Sequence, residues 1–243
     1  MTLREFLALL LPLLFGSTSV SQVLFPTDCS DVYANGQTLS GVYTIYPAGG
    51  APVEVQCDMG CDGQTQDANW TVIQRRMDGS VNFYRPWDQY KNGFGNKYGE
   101  YWLGLENLYQ LTSKRKYELR VDLQDFEEVM TYAQYSFSVA SEVNGYQLTV
   151  GGFIDGGAGD SLGFHNGQKF STFDKDQDAW GGGTCAKTYI GAFWYSACHQ
   201  ANPNGIYLWG KDGTLFALGN VWYTWKGYDY GLKSISMKIR PVI

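Results

Sequence analysis

In KYELRVDLQ, residues 116–124, the apolar Tyr117, Leu119, Val121 and Leu123 alternate with Glu118, Arg120, Asp122 and Gln124. A period of two places the four apolar side chains on one face and the polar ones on the other, which is the pattern of a half-buried strand. No other feature constrains the fold as much, because such a strand needs partners along its edges and a layer over its apolar face. The period returns at Tyr146, Leu148 and Val150, and at Ile235, Met237 and Ile239 interleaved with Ser236, Lys238 and Arg240. WTVIQRR (70–76) and TYAQYSFSV (131–139) read as further strands. Together they predict a mainly antiparallel sheet with one wet face. Helices are expected only as short segments, Trp87 to Asn92 behind Pro86 and Leu105 to Leu111. The fold class is therefore α+β.

From Gly151 to Gly231 periodicity fades while glycine and aromatic residues become dense. A loop-rich stretch of that length must be tied down by a disulfide or a metal, and such stretches commonly carry function. Aromatic residues make up 16% of the chain, with eight tryptophans and eighteen tyrosines, more than packing alone usually needs. Tyrosine and tryptophan are favoured where one edge meets a polar partner, so a binding surface is one reading. The chain has no internal repeat, no collagen-type Gly-X-Y run and no heptads.

The first residues, MTLREFLALLLPLLFGSTSVSQ, place Arg4 before an apolar run from Phe6 to Phe15 and small residues from Gly16 to Ser21. Residues 1–21 read as a secretory signal with cleavage after Ser19 or Ser21, its apolar part too short to span a bilayer. Residues 22–27 then form a short lead into a domain over 28–243. Secretion favours disulfides among the five cysteines. Cys185 and Cys198 enclose twelve residues and Cys29 with Cys57 is the natural second pair, although Cys61 could exchange with Cys57. The odd cysteine, Cys61, is a candidate for an interchain bridge. Asn69-Trp70-Thr71 is a glycosylation sequon on an expected surface loop. The formal charge is −6 with no basic cluster, which excludes the footprint of a nucleic-acid binder.

The loop FDKDQDAWGGGTC, residues 173–185, carries Asp174, Asp176 and Asp178 at alternate positions ahead of Gly181, Gly182 and Gly183. Calcium takes about six to eight oxygen ligands, so carboxylates could supply charge and a glycine-loosened backbone could add carbonyls. An EF-hand is excluded. Counting from Asp174, Ala179 replaces the turn glycine and Cys185 stands where the bidentate glutamate belongs.

The ordered motifs EYWLGLENL (100–108), KYELRVDL, GGAGDSL (156–162), FSTFDKDQD, FWYSACHQANPNGIY (193–207) and MKIRP (237–241), behind an early cysteine pair, resemble the fibrinogen-related domain family. The resemblance covers Asp28 to Pro241. It implies a fibrinogen C-terminal-like fold, with a twisted antiparallel sheet, short helices and a loop-rich, calcium-binding C-terminal subdomain. Within the family, DCSDVYANGQTLSGVYTIYPAG (28–49), QYKNGFG (89–95) and FIDGGAGDSL (153–162) look most like the microfibril-associated members.

Carried over by that resemblance, the calcium ligands are the side chains of Asp176 and Asp178 and the carbonyls of Trp180 and Gly182. The chain has one residue more than is usual between the acidic run and Cys185, which makes Gly181 an alternative to Gly182. Relatives with lectin activity hold an acetyl group beside the metal. The walls of that pocket here would be Tyr189, Cys198, His199 and Phe216, with a cis peptide bond between Ala197 and Cys198. Phe216 stands where the family usually has tyrosine, which keeps the apolar wall and loses a hydroxyl. True fibrinogens need a carboxylate near Ala217 to receive a peptide amine, and none stands there, so peptide-knob binding is not expected.

Catalysis is not expected either. Only His165 and His199 are present, HExxH and GxSxG motifs are absent, and Asp125, Glu127 and Glu128 read as the solvated end of a strand. Gly156, Gly157 and Gly159 read as a turn. Two functions remain. One is a secreted, calcium-dependent lectin for acetylated glycans acting in innate pattern recognition, as an oligomer because one shallow pocket binds weakly. The other is an extracellular-matrix protein of the microfibril-associated type, supporting elastic-fibre assembly and adhesion through matrix proteins and cell-surface receptors. No Arg-Gly-Asp tripeptide is present to serve integrin contact.

Overall fold

The computed structural model describes residues 24–60, 68–211 and 213–242. The expected signal segment, 1–21, and Cys61 lie outside them. The chain opens with helix α1 (Cys29–Ala34), followed by β1 (Gly41–Ile45), β2 (Val53–Asp58) and β3 (Trp70–Arg76). Helix α2 (Trp87–Asn92), β4 (Phe94–Gly95), β5 (Tyr101–Trp102), α3 (Leu105–Thr112), β6 (Tyr117–Gln124), β7 (Met130–Val139) and β8 (Leu148–Gly156) come next. The remaining elements are α4 (Cys185–Thr188), β9 (Gly210–Lys211), α5 (Tyr223–Lys226), β10 (Tyr230–Gly231) and β11 (Ser234–Pro241). No described helix is long and apolar enough to cross a membrane.

The main sheet runs β1-β2-β3-β11-β6-β7-β8, all antiparallel, with β5 added on β3 and β4 on β5. The last strand, β11, lies at its centre between β3 and β6. On β6 the alternation is realised: Tyr117, Leu119, Val121 and Leu123 are buried, as are Ile235, Met237 and Ile239 on β11. Lys238 is on the polar side of β11 and still buried, with Nζ 2.7 Å from both Asp58 and Asp122. A buried ammonium is tolerated because two carboxylates replace its water.

At the N-terminal end Asp28 caps α1, its Oδ1 accepting from Ser30 N at 2.9 Å and Asp31 N at 3.2 Å. Its Oδ2 accepts from the Tyr117 hydroxyl at 2.5 Å, fastening the helix to β6. The Cys29–Cys57 disulfide, with Cα atoms 5.5 Å apart, joins the same helix to β2.

Three expectations change. Tyr146 is not in a strand: with Gly145 it turns through left-handed backbone, φ 50° and 69°, and β8 begins only at Leu148. The strand then continues through Gly156, into the stretch read as loop. Its outer half shows no apolar alternation because it is a sheet edge, held by backbone pairing of Ala133 with Asp155 and Gln134 with Ile154. Finally, Asp125 is not solvated. It is buried, with Oδ1 accepting from Glu127 N and Val129 N and Oδ2 2.6 Å from Lys226 Nζ, so it builds the turn rather than ending it.

The loop-rich lobe has an aromatic core. Trp194 packs on Phe170 at 5.1 Å, Phe193 at 5.1 Å and Trp102 of β5 at 6.2 Å, and its indole N–H donates to the Tyr146 carbonyl at 2.7 Å. Rings of this size bury much apolar area per residue, which suits a lobe without regular elements to build a stripe. That core positions the segment from Asp174 to Ala217.

Candidate functional site

The Cys185–Cys198 disulfide pins α4 to the strandless segment after Trp194, with Cα atoms 5.5 Å apart. Two loops emerge on either side of it, the acidic loop before Cys185 and the pocket loop around Cys198.

The three alternating aspartates do not converge. Asp174 turns away, its Oδ1 accepting from Trp87 N at 2.9 Å and Thr172 Oγ1 at 2.6 Å, because the first turn of α2 needs a partner for its free N–H. Asp176 and Asp178 remain together. Asp178 accepts from Trp180 N at 2.9 Å and Cys185 N at 2.8 Å, and Asp176 accepts from Thr184 Oγ1 at 3.1 Å, so both close the loop on itself. Burial raises the pKa of Asp178, and the neighbouring Asp176 raises it further. Among the described residues neither carboxylate has a cationic partner, and no group of three or more His, Cys, Asp or Glu surrounds a common point. No described residue donates to the carbonyls of Trp180, Gly181 or Gly182. Gly182 and Gly183 lie against the Trp180 indole, where an added Cβ would come within 2.9 Å and 2.8 Å of it, so the tight turn requires glycine there. Two adjacent unpaired carboxylates beside unengaged carbonyls form a donor set that fits a hard divalent cation completed by water.

On the other side of the disulfide a pocket of about 220 Å³ brings together Tyr189, Cys198, His199 and Phe216. Phe164, Ala197, Gln200, Ala217 and Tyr228 complete it. The bond between Ala197 and Cys198 is cis. The amide N–H groups of Cys198 and His199 have no acceptor among the described residues. The Tyr189 ring meets His199 edge-on at 4.6 Å, and Tyr228 meets it at 5.8 Å while donating its hydroxyl to the His199 carbonyl at 3.0 Å. Phe216, 64% exposed, stands at the rim 5.4 Å from Tyr228. Among the described residues the pocket thus has aromatic walls, two free amide donors and no carboxylate.

His199 Nε2 lies 3.1 Å from the Ala217 carbonyl, which can only accept, so Nε2 carries the proton. Its Nδ1 is buried without a partner among the described residues. Burial, reinforced by His165, lowers its pKa to about 3, and the ring is neutral at physiological pH. Only one of its ring nitrogens is therefore satisfied among the described residues. The fully satisfied histidine is His165. Its Nε2 accepts from Gln200 N at 3.2 Å and Ala201 N at 3.0 Å, which leaves the proton on Nδ1 to donate to the Trp194 carbonyl at 2.7 Å. It ties the pocket loop to the aromatic core.

Tyr228 and Phe164 were not legible as pocket residues. Tyr228 sits in an aromatic-rich run with Tyr223, Trp225 and Tyr230, where nothing in the spacing separates a pocket wall from packing. Asn69, the sequon residue, is half-buried in left-handed backbone, φ 71°, immediately before β3. Thr71 is fully buried.

The pattern describing "Fibrinogen beta and gamma chains, C-terminal globular domain" matches residues 25–242. The chain is similar to microfibril-associated glycoprotein 4 of Homo sapiens, 54% identical over 222 residues, covering 88% of this chain and 85% of the relative. It is 47% identical to Ryncolin-4 of Cerberus rynchops, covering 88% and 61%. Among solved structures, the fibrinogen-like globe domain of human ANGPTL2 superposes with a TM-score of 0.84 at 41% identity, covering 89% and 99%. A lamprey fibrin D-dimer complexed with the peptide Gly-His-Arg-Pro-amide gives 0.82 at 34% identity, covering 89% and 74%.

Proposed function

Because the chain belongs to the fibrinogen C-terminal globular domain family, which is non-enzymatic, we propose that it is a secreted recognition protein binding acetylated or related glycans in a calcium-dependent manner, in innate pattern recognition. The observation that carries this reading is the pocket at the cis peptide, where two residues whose amide N–H groups have no acceptor among the described residues stand beside aromatic walls. An acetyl group offers one oxygen for the Cys198 or His199 N–H and one methyl for the rings of Tyr189 and Phe216. The neutral His199 adds no charge that would prefer a carboxylate.

Calcium would be held by Asp176 and Asp178 with carbonyls of Trp180 and Gly182, or Gly181 in its place, and would supply the charge that relieves the two carboxylates. This chain's own residues do the recognition. The Cys185–Cys198 bridge carries the order of the acidic loop to the pocket loop, which joins it through Ala179 N donating to the Ser196 carbonyl at 3.1 Å. A peptide amine does not suit the site, since no carboxylate lines it among the described residues.

The test is retention on an acetylated resin in calcium. The bound protein should elute with a chelator or with N-acetylglucosamine, and His199→Ala should not be retained; retention indifferent to all three would reject the reading. One small pocket binds weakly, so useful avidity needs several copies. Cys61 would bridge two of them, and Cys61→Ser should then run as a monomer on non-reducing electrophoresis.

A second reading rests on the 54% identity to microfibril-associated glycoprotein 4. As an extracellular-matrix protein of that type, the chain would support elastic-fibre assembly and adhesion by protein contacts. Matrix binding that survives excess N-acetylglucosamine would favour it.

A further inference from the structure

A second pocket, of about 380 Å³, lies between the turn after β3 and the segment from Gly205 to Trp209. It is larger than the acetyl pocket and falls in the range of about 300–1,000 Å³ typical of small-molecule sites. No described residue lines both pockets, although Tyr189 lines the first and its neighbour Ile190 the second. Ile190 holds φ 46°, a left-handed conformation that a β-branched residue rarely adopts. Strain of this kind collects at ligand clamps.

The floor is Arg76, only 1% exposed. Its guanidinium has five N–H donors. Nη1 uses its own on the carbonyls of Pro203 at 2.9 Å and Gly205 at 2.7 Å. Nε is 3.6 Å from Glu100 and makes no hydrogen bond, and the side-chain hydrogen bonds of Arg76 to described residues all come from Nη1, none from Nη2. Glu100 balances the charge, and its two oxygens are spent on the N–H groups of Met77, Asp78, Gly79 and Val81. The wall is Trp209, 74% exposed, with its ring pinned edge-to-face on Tyr207 at 5.4 Å. A large indole face is therefore held open to solvent beside a buried donor.

Charge chooses the ligand. Among the described residues Arg76 is the only charged one lining the pocket, and Glu100 already neutralises it, so an anion would meet an occupied cation with a second carboxylate, Asp78, nearby. A cation would meet Arg76 itself. What remains is a neutral molecule with acceptor oxygens and a flat C–H face for the indole, since partly positive C–H groups are attracted to the negative face of an aromatic ring.

We propose that this pocket is a second binding site, for a neutral, unsubstituted hexopyranose whose C–H face lies on Trp209 and whose hydroxyl or ring oxygen takes the Nη2 donors of Arg76. It is independent of the acetyl pocket. Together the two would read a longer glycan at two points, one acetylated and one plain.

The test uses the full secreted chain, ¹⁵N-labelled, titrated with methyl α-D-mannopyranoside, methyl β-D-galactopyranoside and methyl β-D-glucopyranoside. At least one should shift the Trp209 indole N–H and the amides of Gly79 and Gly205 saturably, leaving the His199 amide in place. Trp209→Ala, at an exposed position, should weaken that glycoside by about tenfold, read from the two glycine amides. The same variant should remain on the acetylated resin, which separates failure here from failure of the acetyl reading. The proposal is overturned if none of the three glycosides moves these signals or if sodium sulfate moves them equally. It is also overturned if Trp209→Ala instead lowers the oligomer order, which would make the indole a contact between copies.

Discussion

Lowering the pH from 7 to 5 should draw about 4 kcal/mol of stability out of the fold through two side chains, His165 and His199. Burial holds the His165 pKa down to about 4 against the pull of the Trp194 carbonyl and Asp160, and holds His199 down to about 3. Unfolded, each returns to about 6.5. The folded rings are neutral, so as the pH falls the unfolded chain takes up protons first. The contribution is intact above about 6.5 and is lost as the pH falls toward each folded value. Each pH unit is worth about 1.4 kcal/mol per histidine, so the step from 6.5 to 5 removes about 2 kcal/mol from each. Asp28 and Asp178 act in the opposite direction, because burial raises their pKa values and their folded forms gain protons early. The informative quantity is therefore the difference between the parent and His165→Gln. Urea denaturation followed by tryptophan fluorescence at pH 7 and 5, with calcium and ionic strength fixed, should show the variant losing about 2 kcal/mol less over that range. Equal losses, or a His165 imidazole that titrates near 6.5 by NMR, would refute the reasoning.

Trp194→Ala should destabilise the protein by about 3–5 kcal/mol in the same assay, since its ring joins Phe170, Phe193 and Trp102 and no neighbour can fill the void. Chelation should lower the melting temperature by roughly 5–10 °C if calcium is present at about 100 times its Kd, measured by differential scanning calorimetry. Asp178→Asn should melt early and ignore the chelator. Phe216→Tyr should tighten N-acetylglucosamine by about two- to tenfold in calorimetric titration, as the added hydroxyl supplies one hydrogen bond of about 0.5–1.5 kcal/mol.

What the sequence made legible follows from which forces are periodic. On β6 and β11 the apolar face repeats every two residues, so Leu119 or Ile239 announces its own burial. The outer half of β8 is held by backbone pairing at an edge, and backbone pairing leaves no mark in side-chain order. The same holds for Asp174. Its spacing made it look like a third ligand of the acidic loop, yet an N–H of α2, 87 residues earlier, claims it. Tyr189, Cys198, His199 and Phe216 were placed by resemblance and do line one pocket, whereas Tyr228 and Phe164 carry no local signal. The Arg76 pocket was invisible for a related reason. WTVIQRR reads as a strand with arginines at its end, and nothing in that run says that Arg76 turns inward onto Pro203 and Gly205 while Arg75 reaches the carbonyls of Gly99 and Lys97.

The irregular lobe still has to satisfy its buried backbone, and it does so with side-chain amides in place of a ladder. Asn204 Nδ2 donates to the Ala192 carbonyl at 2.9 Å, Asn220 Nδ2 to that of Leu232 at 2.8 Å, and Gln74 Nε2 to that of Pro203 at 3.1 Å. All three side chains are fully buried. Such bonds add little net stability when made but cost about 1–3 kcal/mol each when broken, so the lobe tolerates few alternative loop arrangements. A pocket of about 220 Å³ gains little affinity from contact area; rigidity is what it can gain from, because a preformed site loses less entropy when it closes on a ligand. On the proposed reading the His165 tether and the buried amides therefore serve recognition by rigidity although none of them lines the pocket, and the disulfide does so from the pocket wall, which Cys198 forms. On the proposed reading the division of labour is a physical one: the side chains lining the pocket set which group is read, and the buried polar groups behind them set how little reorganisation that reading requires.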